Sequence, residues 1–128
     1  MTTQRITTAS RFEAQFGFCR GLRRGNQISV AGTAPIGPDG ETVGVGDPAA
    51  QARRCFDIIS ETIDALGGSL EHTIRTRMFL TNINDWQAIG AVHGEYFGEI
   101  QPVATMVAVE ALIDPQWLVE IEADALID

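Results

Sequence analysis

The sequence predicts an α+β fold in which two helices lie on one face of a mixed β-sheet, with elements in the order ββαβαββ. Three observations carry this. Segments such as VEIEADA at 119–125 alternate with period two, one long stretch has helical spacing, and turn signals separate the elements with no repeat or linker. At 128 residues, 45% of them apolar, the chain suits one domain over 1–128 that buries a core of its own.

The elements follow in order. From about Phe18 to Thr33, FCRGLRR and QISVAGT flank the turn dipeptide Gly25-Asn26, as in a hairpin. PIGPDGETVGVGD is a loop punctuated by Pro35 and Pro38. Asp47-Pro48 supplies a cap and a first-turn proline, after which Ala52, Cys55, Phe56, Ile59, Ile63 and Leu66 recur at helical spacing until Gly67-Gly68. Between Thr73 and Thr81 the chain alternates, placing Ile74, Thr76, Met78 and Leu80 on one face and Arg75, Arg77 and Phe79 on the other. Asn84 or Asp85 can cap a second helix, with Trp86, Ile89, His93, Tyr96 and Phe97 along one side, ended by Gly98. Two strands, about Val103 to Leu112 and Leu118 to Ile127, flank the turn at Asp114-Pro115.

Two helices cover one face only. Val119, Ile121, Ala123 and Ala125 fit beneath them, which turns Glu120, Glu122 and Asp124 to the other side. Along the preceding strand Val103, Thr105, Val107 and Val109 share one face, and Ala104, Met106, Ala108 and Glu110 the other. A second face that mixes Arg75, Arg77, Glu120 and Glu122 with apolar groups suits contact with other subunits, so an oligomer is expected.

Composition excludes several functions. A net charge of −8 argues against nucleic acid as a partner, since that binding rests on neutralising phosphates. All nine basic residues are arginine, which removes Schiff-base lysine chemistry. No apolar run approaches the roughly 18 residues needed to cross a bilayer and no leader pattern opens the chain, so no membrane partner and a cytoplasmic location are expected. Cys19 and Cys55 match no metal or redox spacing, and two histidines without a clustered ligand set predict neither metal nor cofactor. Gly44-Val45-Gly46 lacks a preceding strand and has Asp47 where a phosphate would sit.

The hairpin FGFCRGLRRGNQISVAGTAP, the segment from DPAAQARRCF to TNINDW and the ending PVATMVAVEALIDPQWLVEIEADALI resemble the RidA family, also called YjgF or L-PSP. The resemblance covers almost the whole chain. It implies a chorismate-mutase-like fold, a homotrimer with small-molecule clefts between subunits, and hydrolysis of reactive enamines and imines to keto acids and ammonia. In the best-known branch an arginine in the pattern PARxxV grips the substrate carboxylate. The matching stretch here is Pro102-Val103-Ala104-Thr105-Met106-Val107, so Ala104 stands at the arginine's place and Met106 at that of a cysteine. Losing such a charge-assisted bond predicts roughly tenfold to over hundredfold weaker handling of a carboxylate substrate. The cleft tyrosine matches Phe18, the serine after it Cys19, the glutamine Arg20, and a helix asparagine Gly90, while Gly32 and Glu120 are retained.

On this resemblance Glu120 is the candidate catalytic residue, holding a water for attack on a C=N carbon; the competing reading is a salt bridge to Arg75 or Arg77. Phe18, Ala104 and Met106 would shape an apolar pocket, and backbone groups near Gly32 and Thr105 would polarise the substrate. Arg20, two residues from Phe18 on one strand face, either supplies an anion contact or is a solvated hairpin arginine. His93, on an apolar helix face, is either a hydrogen-bonded core or interface residue or a proton shuttle at a subunit contact, and His72 is expected to be exposed. The functions in contention are a deaminase of an imine or enamine other than the usual short 2-imino acids, a non-catalytic binder of a small metabolite, and, least suited to an acidic chain, the endoribonuclease activity ascribed to some relatives.

Overall fold

The structure, a computed structural model, describes residues 2–8 and 10–128. Its centre is a six-stranded sheet in the order β1-β2-β3-β6-β4-β5, formed by Thr3–Ile6, Gly21–Arg24, Gln27–Thr33, Thr73–Leu80 (β4), Val103–Ala108 (β5) and Val119–Leu126 (β6). All neighbours are antiparallel except β4 and β5. A parallel neighbour requires a crossover, which α3, Trp86–Phe97, provides.

Helix α2, Pro48–Ala65, starts where the sequence places it: the Asp47 side chain accepts from the Ala50 amide, and Pro48 needs no donor partner in the first turn. Its apolar stripe of Ala52, Cys55, Phe56, Ile59 and Ile63 is buried against Ile28, Val30, Ile121, Ala123 and Ala125. Burying a side chain such as Phe56 is worth roughly 1.5 to 3 kcal/mol, and this stripe is the main source of core stability. The helix comes so close to β2 that a Cβ on Gly21 would lie 2.4 Å from Thr62 Cγ2, so only glycine fits there. Buried Gln51 ties two loops to α2: its Nε2 donates to the Gly44 and Gln116 carbonyls at 3.2 and 3.0 Å, and its Oε1 accepts from the Leu118 amide at 2.8 Å.

Helix α3 packs beside α2 through Ile89, Val92 and Phe97. His93 is half-buried and hydrogen-bonded, with Nε2 2.8 Å from Thr76 Oγ1 and its ring against Phe56 and Phe97. Trp86, expected on the packed side, is 53% exposed because it begins the helix beyond the sheet's reach. His72 is half-buried, its Nδ1 accepting from the Ser69 amide in a capping box.

Three further features differ from expectation. Residues before Phe18 form β1 and a short helix α1, Arg11–Phe16. A register shift between Thr73 and Arg75 buries Thr73 and turns Ile74 outward, against the simple alternation. Strand β5 stops at Ala108 rather than Leu112, because β4 ends opposite it at Leu80. Among the described residues no helix is long and apolar enough to cross a membrane.

Candidate functional site

The first half of the site is built on an irregularity in β3. Val30 pairs with Ala123 and Thr33 with Ile121, so one extra residue is accommodated around Ala31 and Gly32. The Ala31 amide donates to the Arg20 carbonyl at 3.0 Å, and the Arg20 amide to the Ile6 carbonyl at 2.8 Å, which seats the chain before β2 beside the bulge.

Glu120, from β6, lies over Gly32 so closely that a Cβ there would be 2.7 Å from its Oε2. Gly32 is thus glycine for room. The Glu120 carboxylate is half-buried, and burial pushes its pKa above the ordinary value, with Arg20 pulling it down and Glu122 adding to the rise. No hydrogen-bond donor among the described residues reaches it. The expected alternative, a bridge to Arg75 or Arg77, is not formed: Arg77 Nη1 bonds Glu122 at 3.1 Å and Asp124 at 3.5 Å instead.

Arg20 is not a solvated hairpin arginine. It turns inward, its Nη2 donating to the Gly32 carbonyl at 2.5 Å, while its Nε is buried without a hydrogen-bond partner among the described residues. Burial lowers its pKa, and the charges of Glu13 and then Glu120 oppose that shift. Glu13 is a residue of the candidate site that sequence reasoning missed. It is buried on α1 and accepts from the Thr8 amide at 2.9 Å and from the Thr8 hydroxyl. A lone glutamate in a six-residue helix offers no pattern to find it by. Phe18, 45% exposed, and Cys19 line an open groove of about 780 Å³ with Glu13, Arg77, Glu122 and Asp124. Burial pushes the Cys55 thiol up, as suits an inert core filler.

The second half lies on β5. Ala104 pairs with Thr76 and Met106 with Met78, so both project to the helix-covered side, where Met106 joins the core and its Cε is 3.9 Å from a Cβ built on Gly90. Thr105 pairs with Arg77 and faces the open side with Val103 and Val107. β4 stands between β5 and β6, which sets the two halves roughly 10 Å apart at about 4.8 Å per strand, and on opposite faces for Ala104 and Met106. Arg20, Gly32 and Glu120 therefore gather on one wall with Phe18 in the adjoining groove, Ala104, Thr105 and Met106 lie on another, and a single chain does not join them. Among the described residues there is also no cluster of three or more His, Cys, Asp or Glu able to hold a metal ion.

Comparison with known proteins places this geometry among relatives. The family model described as Endoribonuclease L-PSP matches residues 8–127. An uncharacterised protein of Streptomyces coelicolor is 36% identical over 122 residues, covering 95% of this chain and 90% of that one. The 3-aminoacrylate deaminase RutC of Acinetobacter baylyi is 36% identical over 100 residues, covering 78% of this chain and 79% of that one. A crystal structure from Mycobacterium tuberculosis, of a member of the YjgF/YER057c/UK114 family, superposes with a TM-score of 0.89 at 39% identity over 98% of this chain and 100% of that one. The YjgF gene product of E. coli gives 0.83 at 29% identity over 96% and 98%.

Proposed function

The chain belongs to the Endoribonuclease L-PSP family, the YjgF or RidA family, and from that premise we propose that it is a cytoplasmic deaminase hydrolysing a small imine or enamine in a cleft between subunits of a homotrimer. The observation that carries this reading is Glu120: a half-buried carboxylate over a glycine, with no donor among the described residues occupying it, and so free to hold a water. The division of the walls supports the assembly, because β5 of one copy can complete the Gly32–Glu120 wall of another.

In this reading an enamine first takes a proton on carbon to become an imine. The Glu120 carboxylate orients a water and removes its proton as oxygen attacks the C=N carbon. The proton passes to nitrogen, the carbon–nitrogen bond of the carbinolamine breaks, and ammonia leaves a carbonyl product. Phe18 with the β5 wall around Ala104 and Met106 gives an apolar surround, and the unpaired edge of β5 beside Thr105 offers backbone groups to polarise the substrate. Arg20 occupies the Gly32 carbonyl, so that group acts through the arginine.

The test is ammonia release above the spontaneous rate from enamines and imines generated in situ, 3-aminoacrylate and 2-iminopropanoate among them, with native mass spectrometry of the same sample. A trimer that accelerates hydrolysis, and loses most of that acceleration in Glu120→Gln, is expected. A monomer would remove the shared cleft. A trimer that binds small carbonyl compounds yet accelerates nothing would be a binding protein, a reading favoured by the absence of charge at Ala104. The endoribonuclease reading gains nothing from a chain of net charge −8.

A further inference from the structure

The base of the proposed reaction has to be charged and also unoccupied. Glu120 meets the second condition, since no donor among the described residues bonds its carboxylate. The first condition is harder to meet. The carboxylate is half-buried, with Glu122 two residues along the same strand, and both press it towards the neutral acid. A cation bonded to it directly would restore the charge but fill the lone pairs that a water needs.

Arg20 resolves this conflict by where it is tied. Its Nη2 donates to the Gly32 carbonyl at 2.5 Å, and the same glycine leaves the room in which Glu120 lies, where a Cβ would be 2.7 Å from Oε2. Guanidinium and carboxylate converge on one residue of the bulge without bonding each other. The guanidinium charge is constant, because arginine keeps its proton wherever a protein stays folded. The other charged and titratable groups around Glu120 are engaged or further away. From β4, Phe79 stands opposite Glu120, while Arg77 is opposite Glu122 and bonds it and Asp124. Arg75 is opposite Asp124, four residues along β6 from Glu120 and so roughly 13 Å away at about 3.3 Å per residue. α2 brings Cys55, whose thiol burial keeps protonated, and Arg54, whose Nε donates to the Ile36 carbonyl at 2.7 Å. Glu13 of α1 acts on Arg20, the Cys19 thiol donates to the Gly21 carbonyl, and Arg5 of β1 is exposed in the groove.

We infer that Arg20 is a positioning residue: tied to the Gly32 carbonyl, it keeps the Glu120 carboxylate charged over the glycine while leaving its oxygens to a water, and it does so without touching substrate. The inference rests on the deaminase reading and deepens it. In keeping with it, the charge of Arg20 pulls the pKa of Glu120 down against burial.

The test reads Glu120 directly. Its carboxyl carbon, isotope-labelled and assigned by its loss in Glu120→Gln, is titrated by NMR in the parent, in Arg20→Gln and in Arg20→Lys, and the pH profile of ammonia release is recorded for the same three proteins. In Arg20→Gln the Glu120 midpoint should move to higher pH and the acid limb of kcat/KM should move with it, so that the loss of activity is at least about threefold greater at pH 5 than at pH 8. Arg20→Lys, which keeps the charge, should return both towards the parent. An unmoved midpoint in folded Arg20→Gln overturns the inference, as does a midpoint that moves while the acid limb stays. A lysine variant displaced as far as the glutamine variant overturns it too, since the tie to Gly32 and not the charge would then matter. Should Arg20→Gln not fold, Arg20→citrulline, made by ligating a synthetic segment 1–54 to Cys55, keeps the shape without the charge and is titrated in its place. If no enamine or imine is hydrolysed faster, the deaminase reading fails, and the titration, which needs no turnover, alone decides whether Arg20 sets the charge of Glu120.

Discussion

Strands β5 and β6 hold the two halves of the site, yet they are determined in different ways. β6 has β3 on one side and β4 on the other, and its Val119, Ile121, Ala123 and Ala125 are buried. Each outward carboxylate of β6 has a counterpart in the same chain: Glu120 feels Arg20, Glu122 bonds Arg77, and Asp124 takes both Arg77 and Ser29. β5 has one neighbour, and its Val103 and Val107 stand 57% and 41% exposed. A strand with paired edges and a buried face is held by its own chain. An edge strand with bare valines is specified by whatever covers it.

That contrast can be broken at several points. The largest expected effect is on the buried face of β6, where Ile121→Ala should cost roughly 2 to 5 kcal/mol in chemical denaturation, since a fully buried side chain leaves a cavity. Next, on the trimer proposed above, Val107→Asp on β5 should leave circular dichroism unchanged but convert the native mass from trimer to monomer, because a charge buried without a partner at the proposed contact costs several kcal/mol. A variant that stayed trimeric would show that β5 is not the contact. Third, Gly32→Ala should lower kcat of the proposed deaminase reaction roughly tenfold or more by forcing the Glu120 carboxylate aside, with little loss of folding stability. The smallest effect concerns pH. Because burial raises the folded-state pKa of Glu120 above its ordinary 4.5, its contribution to stability is present below the unfolded value and is lost as pH rises through the raised one. Urea titrations should find Glu120→Gln more stable than the parent at pH 7, with the difference vanishing below about pH 4. A less stable variant at pH 7 would mean that the pull of Arg20 outweighs burial.

The contrast also explains what was legible in the sequence. The α+β order, the cap and stop of α2 and the in-out alternation of β6 were readable because each is set by local chemistry repeated over many residues. The family resemblance directed attention to Glu120, yet which cation it would meet was not readable. Arg75 and Arg77 share its sheet face, but Arg77 reaches Glu122 and Asp124, and the bulge at Gly32 brings Arg20 instead. β1 was hidden because TQRI is a short, polar edge strand with no alternation. α1 was hidden because RFEAQF spans six residues and its buried member is the charged Glu13. Ile74 was assigned to the wrong face because a register shift, invisible to period-two counting, intervenes.

The position of β6 bears on how the chain is made. It follows every other strand in sequence yet lies in the middle of the sheet. While a ribosome is still synthesising residues 119–126, β3 and β4 each have an edge with no strand to pair, and Gln51 awaits partners 65 and 67 residues downstream. Such a nascent chain can pair β1, β2 and β3, and β4 with β5, but has no strand to join the two parts, and their unpaired edges are open to other chains. Closure is therefore a step that comes after the last strand has emerged, and a message truncated before Val119 yields a product that lacks the strand joining β3 to β4.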